Sequence, residues 1–463
     1  MISARFKMGI LASIGFILLY ASAFGQSASG PLRVCESNPR YFCGGGKAIL
    51  LTGSHVWNNF VDMGESDPPA PFDYAAYLDW MKKLNHNFIR LWTWELASWN
   101  TTANQENKRL FSAPQPWLRT GPEKALDGKP KFDLNRFDPA YFERLRDRVK
   151  AAGDKGIYVS IMLFEGWAMQ FMEGALKSHP FHPANNINNI NCDRNDDGKG
   201  LEIHELAISA ITALQENYVR KVVDSVNNLD NVLYEISNEN HPPSTPWQYH
   251  MINFIHQYEK NKPKQHPVGM TFQYKGGSNQ TLFDSPADWI SPNPDGGYRD
   301  DPPANDGRKV ILNDTDHLWG IGGNEEWAWK SFLRGCNPIF MDPYDGVVLG
   351  KPFEDRFEAL RRNMGCALKL SQKVNLAAMT PRNDLSSAKY CLAEPGRTYI
   401  VYIPKGEKAE VDLSAVKGKA SVEWLNIKTG DVKKGGDMEG GKKQTFASPF
   451  AEAAILHIEA AAS

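Results

Sequence analysis

Past its first 25 residues the chain has no apolar run long enough to cross a bilayer. An excess of either charge is missing too. The 52 Lys and Arg stand against 54 Asp and Glu, and no basic run is interleaved with aromatics, which argues against nucleic acid as a partner. There is no Gly-x-Ser-x-Gly elbow, phosphate loop, dinucleotide fingerprint, His-Glu-x-x-His pair or Cys-x-x-Cys spacing. Esterase, kinase, dehydrogenase, metalloprotease and zinc-site readings therefore lack support. Cysteine is scarce, with six in the 463 residues. Cys35 and Cys43 flank Asn38-Pro39 and are expected to bridge across a hairpin, while Cys192, Cys336, Cys366 and Cys391 suggest no connectivity.

Apolar and aromatic residues are plentiful, at 42% and 11% of the chain, and 13 are tryptophan. That is ample for a large core, and tryptophan also stacks on the apolar faces of sugars when it lines a cleft. At the start, Arg5 and Lys7 precede an apolar run over 8–20, and Ala21-Ser22-Ala23 offers a small-residue cleavage site. This predicts a signal peptide over 1–25 and a secreted or periplasmic protein with no membrane span once it is cleaved.

From about Ala48 onward, short apolar runs alternate with amphipathic ones. The runs predict strands at 49–53, 87–92, 157–164, 231–238, 267–273, 287–291, 309–314 and 337–341, with helices at 72–84, 139–152, 206–226, 247–259 and 353–370. Residues 93–137 and 179–200 read as long insertions. Eight strands in this order predict an α/β fold, a (β/α)8 barrel over 26–375 with an N-terminal hairpin, whose site lies at the C-terminal strand ends. After Val374 short strands at 399–403, 409–413, 421–425 and 454–458 are separated by Gly- and Lys-rich turns, which predicts a small antiparallel β-sandwich over 376–463.

The fourth strand ends in Asn238-Glu239-Asn240 and is cut off by His241-Pro242-Pro243. A carboxylic acid at a strand mouth, beside an amide that can hold a sugar hydroxyl, is suited to protonating a leaving oxygen. The seventh strand ends in Asn313-Asp314-Thr315-Asp316-His317, and in a barrel these two tips face one cavity. Retaining glycosidases need two carboxyl groups about 5–5.5 Å apart, one protonated and one ionised. One of the two aspartates is expected to cap a helix instead. Arg90, from the second strand, would keep the nucleophile ionised. His55, Trp57, Trp92, Glu165, Trp167 and Trp289, all near strand ends, are candidates to line sugar subsites with Asn238, each with packing as its alternative.

These residues resemble a known family. The Asn-Glu tip, the strand-seven carboxylate and the second strand Asn87-Phe88-Ile89-Arg90 look like the clan-A (β/α)8 glycoside hydrolases. Thr52-Gly53-Ser54-His55-Val56-Trp57, Phe181-His182-Pro183-Ala184-Asn185-Asn186 and the sandwich resemble the apiosidase-like hydrolases, which carry a C-terminal domain named after a collagen-binding domain of a collagenase. The resemblance implies a glycoside hydrolase acting on a carbohydrate, with Glu239 as acid/base and the family's strand-seven glutamate replaced by Asp316. The shorter side chain leaves Asp316 and Asp314 both open as nucleophile. The same replacement motivates the rival reading, a carbohydrate-binding or scaffold protein on a degenerate barrel.

No cofactor is required by this chemistry. A metal is suggested only by Asp193-Arg194-Asn195-Asp196-Asp197-Gly198, which matches the start of a calcium loop through Asp193, Asn195 and Asp197. His204 stands where the twelfth-position acid belongs, with Glu205 one place late and Glu202 two early. The run is read either as a structural calcium loop or as a solvated acidic turn.

Overall fold

The computed structural model describes residues 30–100, 108–344, 346 and 355–461. The leader expected over 1–25 lies outside them. Among the described residues no helix is long and apolar enough to cross a membrane.

The core of the molecule is an eight-stranded parallel sheet curled into a barrel: β1 (Gly53–His55), β2 (Phe88–Trp92), β3 (Tyr158–Glu165), β4 (Val232–Asn238), β5 (Val268–Thr271), β6 (Trp289–Ser291), β7 (Val310–Asp314) and β8 (Asn337–Met341). Each strand from β2 to β8 pairs with its successor in sequence, and β8 returns to β1. Outside it lie α1 (Tyr74–Lys83), α2 (Pro139–Asp154), α3 (Ser209–Val226), α4 (Thr245–Glu259), α5 (Asn279–Asp284), α6 (Glu325–Leu333) and α7 (Glu358–Ser371). Among the described residues no helix joins β6 to β7. A (β/α)8 barrel followed by antiparallel sheets is the architecture the strand order predicts.

The first strand is displaced from its expected position. Leu50 and Leu51 look like strand, but ladder pairing with β8 begins only at Gly53, opposite Ile339. Side chains stand in for the missing ladder. Asn337 Oδ1 accepts from Leu51 N at 2.9 Å, while Asn87 accepts from Thr52 N and donates to Leu50 O, both at 2.9 Å. Asn87 thereby stitches the seam between β1 and β2, where its own N–H also reaches Thr52 O at 2.9 Å. The two backbones come so close that a Cβ at Gly53 would run into the carbonyl oxygen of Phe88. Gly53→Ala is therefore expected to cost about 1–3 kcal/mol, seen as a lower urea midpoint.

Lys47–Ile49 instead belongs to a three-stranded antiparallel sheet with Arg33–Val34 and Phe42–Gly44. The expected Cys35–Cys43 disulfide staples it, with Cα atoms 4.9 Å apart. Leu32 and Phe42 from this hairpin pack into a cluster with Phe88, Leu233, Trp289, Val310 and Ile339, so the hairpin plugs the N-terminal end of the barrel.

The insertion at 93–137, expected as loop, contains strands Ser98–Asn100, Arg109–Ala113, Trp117–Lys124 and Pro130–Phe137. The last two form a hairpin, and the first two form a small sheet with Asp62–Gly64. The C-terminal unit has a six-stranded and a two-stranded antiparallel sheet. Four of its strands, Thr380–Pro381, Cys391–Glu394, Val432–Glu439 and Lys443–Ala447, go unread in the sequence; the last two are largely polar and carry few apolar residues. One face of the larger sheet packs on the smaller through Val401, Val411, Trp424 and Leu456. Its other face presents Leu392, Ile400, Tyr402 and Ile455 to Trp329, Phe332 and Leu368 of α6 and α7. The second contact packs the sandwich against the barrel helices.

Candidate active site

Alternation along the strands places the chemistry. The inward side chains of β2, β4 and β7 run Phe88–Arg90–Trp92, Leu233–Glu235–Ser237 and Val310–Leu312–Asp314, two residues apart. The first member of each is part of the apolar floor above the plug. Towards the C-terminal ends the interior turns charged.

Arg90 is the hub, 1% exposed. All five of its N–H groups are used. Nε and Nη2 form a bidentate bridge to Glu235 at 2.8 and 2.5 Å, Nη2 also reaches Asn238 Oδ1 at 2.6 Å, and Nη1 donates to Asp314 and Asp316 at 3.0 and 2.9 Å. Asp314, Asp316 and His317 converge tightly enough to hold a metal ion. Here the guanidinium lies against both aspartates and supplies the positive charge.

The two aspartates play different parts. Asp314 is fully buried; it accepts from His55 Nε2, from Arg90 and from the backbone N–H of Asp316, each at 3.0 Å, and caps the short helix Thr315–Leu318. Trp92 Nε1 can only donate, so His55 Nδ1 accepts it at 3.0 Å and Nε2–H faces Asp314. Burial alone would raise Asp314, but His55 and Arg90 hold its carboxyl below the usual range. Asp316, in the first turn of that helix, is 8% exposed, and only its Oδ2 meets Arg90. Burial pushes it up to about 6, aided by Asp314 and opposed by Arg90.

Glu239 sits one residue past the end of β4, with φ at +44°. A non-glycine residue holds that conformation only when its surroundings over-determine it. They do so here: Gly166 N–H donates to Asn238 O at 3.0 Å, Gln170 Nε2 to Glu239 O at 2.7 Å, and Asn240 Nδ2 to Ser237 Oγ at 2.9 Å. The glycine at 166 is needed because a Cβ there would strike Asn240. Burial drives the Glu239 carboxyl well above its ordinary range, with Asp316 the largest charged contributor and Arg90 opposing. The surroundings thus favour the protonated form of Glu239 and set Asp316 beside a fixed cation.

Supports surround the pair. Arg90 can only donate, so the Asn238 atom facing it is Oδ1, and His317 Nε2–H then donates to the same oxygen at 3.2 Å while Ser291 Oγ donates to Nδ1 at 2.7 Å. Burial, with Arg90, lowers His317 to about 3, so it stays neutral. Glu165 accepts the backbone N–H groups of Trp167 and Ala168 at 2.8 and 2.9 Å, yet burial pushes it up to about 8. Behind it, Glu95 accepts from Glu165 N and His204 Nε2, both at 2.9 Å, and against its burial His204 and His179 bring it down to about 2.

With this geometry in hand, the chain can be compared with known proteins. By overall fold it is similar to a solved structure described as "Glycoside hydrolase", with a TM-score of 0.59 at 12% identity over 94% of this chain and 98% of that one. A glycoside hydrolase family 5 structure from Bacteroides vulgatus ATCC 8482 is similar with a TM-score of 0.59, at 13% identity over 94% of each chain. The fold is that of glycoside hydrolases. Residues 110–276 match the family described as "Domain of unknown function (DUF6298)", and residues 378–455 match "Putative collagen-binding domain of a collagenase". No curated protein matches by sequence.

On this barrel the predicted residues separate into those around the carboxyl pair and one elsewhere. Arg90, Asn238, Asp314, Asp316, His55 and Trp92 form one hydrogen-bonded cluster. Glu165 lies close enough to interact electrostatically with Glu239 and Asp316. Trp57 and Trp167 are half-buried, 5.8 Å apart between ring centroids, while Trp92 is 1% exposed and stacked on His55. Trp92 is therefore a buttress that offers no platform to a ligand. Trp289 does not belong to the site. It opens β6 at the opposite end of the barrel, fully buried on the plug hairpin in the space left by Gly269. Glu235 and His317 were missed. Glu235 had a legible signal, an acid inside an apolar strand, which demands a buried cation such as Arg90. His204, which stands at the twelfth position of the acidic run, turns its Nε2 to Glu95 at 2.9 Å.

Proposed function

We propose that the protein is an exported glycoside hydrolase that cleaves O-glycosidic bonds of an oligo- or polysaccharide with retention of configuration. The observation that carries this reading is Glu239, buried just past β4 where its protonated form is favoured, with Asp316 as its largest acidic influence and one Asp316 oxygen tied to Arg90. Glu239 donates its proton to the glycosidic oxygen as the bond breaks. Asp316 attacks the anomeric carbon through Oδ1, because Oδ2 is occupied by Arg90. Glu239, now ionised, deprotonates the water that releases the glycosyl group. Asp314 has no free oxygen for attack, so it orients His55 and Arg90 instead. The exposed parts of the Trp57 and Trp167 rings provide stacking surface for sugar. The glycoside hydrolase fold supports the same reading.

The test is incubation with a panel of plant and microbial glycans, read as new reducing ends, with NMR of the first-formed anomer. Cleavage that Asp316→Asn abolishes is expected. Binding without cleavage of any glycan would return the protein to the carbohydrate-binding class.

The pH profile follows from the same pair. Asp316 must be ionised to attack, so kcat/KM is expected to fall as pH drops below about 6. Glu239 must be protonated, and its raised carboxyl places the alkaline limb well above the ordinary carboxylate range. Both limbs are properties of the pair. An acid limb near pH 4, where an unpaired aspartate titrates, would contradict the assignment.

A further inference from the structure

The insertion between β3 and α3 holds a second cluster of acids that the hydrolase reading does not use. Carboxylate oxygens of Asp193, Asp197 and Glu202 all lie within 4.8 Å of one another. Calcium binds oxygen at about 2.3–2.6 Å, so ligands on opposite sides of one ion are about 4.6–5.2 Å apart, and all three oxygens fit a single coordination sphere. An acidic cluster alone says little. The decisive feature is Glu202, which is 8% exposed and whose Oε2 is buried without any hydrogen-bond partner. A buried carboxylate oxygen left bare is strongly disfavoured unless a cation meets it. Its other oxygen accepts the backbone N–H of Asn195 at 3.0 Å, which holds the carboxylate on the loop. The nearest balancing charge is Lys199, whose Nζ is 4.0 Å from Asp197 and 66% exposed.

We infer that Asp193, Asn195, Asp197 and Glu202 form a calcium site. Asp193, Asn195 and Asp197 take the first, third and fifth positions of the loop, with Gly198 at the sixth. The acid expected at the twelfth position comes at the tenth. The backbone explains the shortening: Gly198 and Gly200 have φ of +77° and +65°, and the single-turn helix Leu201–His204 follows at once. Two left-handed turns in three residues bring Glu202 back over the loop before a longer excursion could. The ligands are all oxygen, as a hard cation requires.

The site is wired to the barrel. The helix that carries Glu202 also delivers His204 to Glu95 and, one residue on, Glu205 to His241 Nε2 at 3.0 Å. Glu95 supports Glu165, and His241 adjoins the turn that presents Glu239. The ion thus anchors the wall that fixes both acids.

Calorimetric titration of calcium into the EDTA-treated full-length protein tests this without reference to catalysis. One ion per chain is expected, accompanied by a rise in Tm. Glu202→Gln should weaken the affinity about tenfold or more. Because Glu202 is buried, Asp197→Asn at an exposed position serves as a second variant and should weaken binding to a similar degree. No binding at millimolar calcium, or affinity unchanged in both variants, overturns the assignment. Magnesium binding as tight as calcium would overturn a calcium-sized cage.

Discussion

Glu239→Gln is expected to lower kcat by about 10²–10⁴ on a substrate with a poor leaving group, the range that a positioned general acid supplies. The amide keeps the size of the side chain and its place after β4, and the backbone bonds from Gln170 and around Gly166 do not involve the carboxyl. The fold should therefore be untouched. What is lost is the proton, whose retention on the acid burial and Asp316 favour. A substrate with an aryl leaving group of low pKa needs no such proton, so its first step should slow far less. Turnover of it would then stall at the glycosyl-enzyme, because the same residue activates water. A burst equal to the enzyme concentration is the expected signature, and azide should relieve it. Equal losses on both substrates without a burst would remove Glu239 from the acid role.

Arg90→Met is expected to destabilise the barrel by about 3–5 kcal/mol, the cost of removing one partner from a buried ion pair. The guanidinium answers Glu235, Asp314 and Asp316, which are 0%, 0% and 8% exposed, and every one of its N–H groups is in use. Methionine fills most of the volume but leaves those carboxylates without their cation. A urea midpoint followed by tryptophan fluorescence would read the change. Arg90→Lys keeps the charge and loses the fork, so it should recover only part of the stability. In the lysine variant that still folds, Asp316 loses its hydrogen bond from Nη1. Its carboxyl should rise further, moving the acid limb of kcat/KM to higher pH. An unchanged limb would mean that Arg90 does not govern Asp316.

Much of this was legible along the chain. The apolar run that ends in Asn313-Asp314 and the break at His241-Pro242-Pro243 announced two strand tips with carboxyl groups, and the count and order of strands announced the barrel. Asp314 and Asp316 could not be told apart by reading, because both stand at the end of one strand. The difference between them is that one caps the next helix and meets His55, while the other is tied to Arg90 through a single oxygen and acts on Glu239. Trp289 was misread for a related reason. β6 has only three residues, and its first faces the plug while its last, Ser291, reaches His317. Loop ligands are harder still, since counting to the twelfth position fails when two glycines shorten the turn.

The amino-acid sequence by itself determined the order of strands and helices and which residue types stand at the strand ends. Those depend on alternation over a few residues, which the chain carries locally. Only the tertiary structure decided that Arg90, Glu235, Asp314 and Asp316 share one buried charge cluster and that Trp289 lies at the far end. Those neighbours come from different strands, and closing the sheet with its stagger sets their heights in the barrel, a distance that no local pattern encodes.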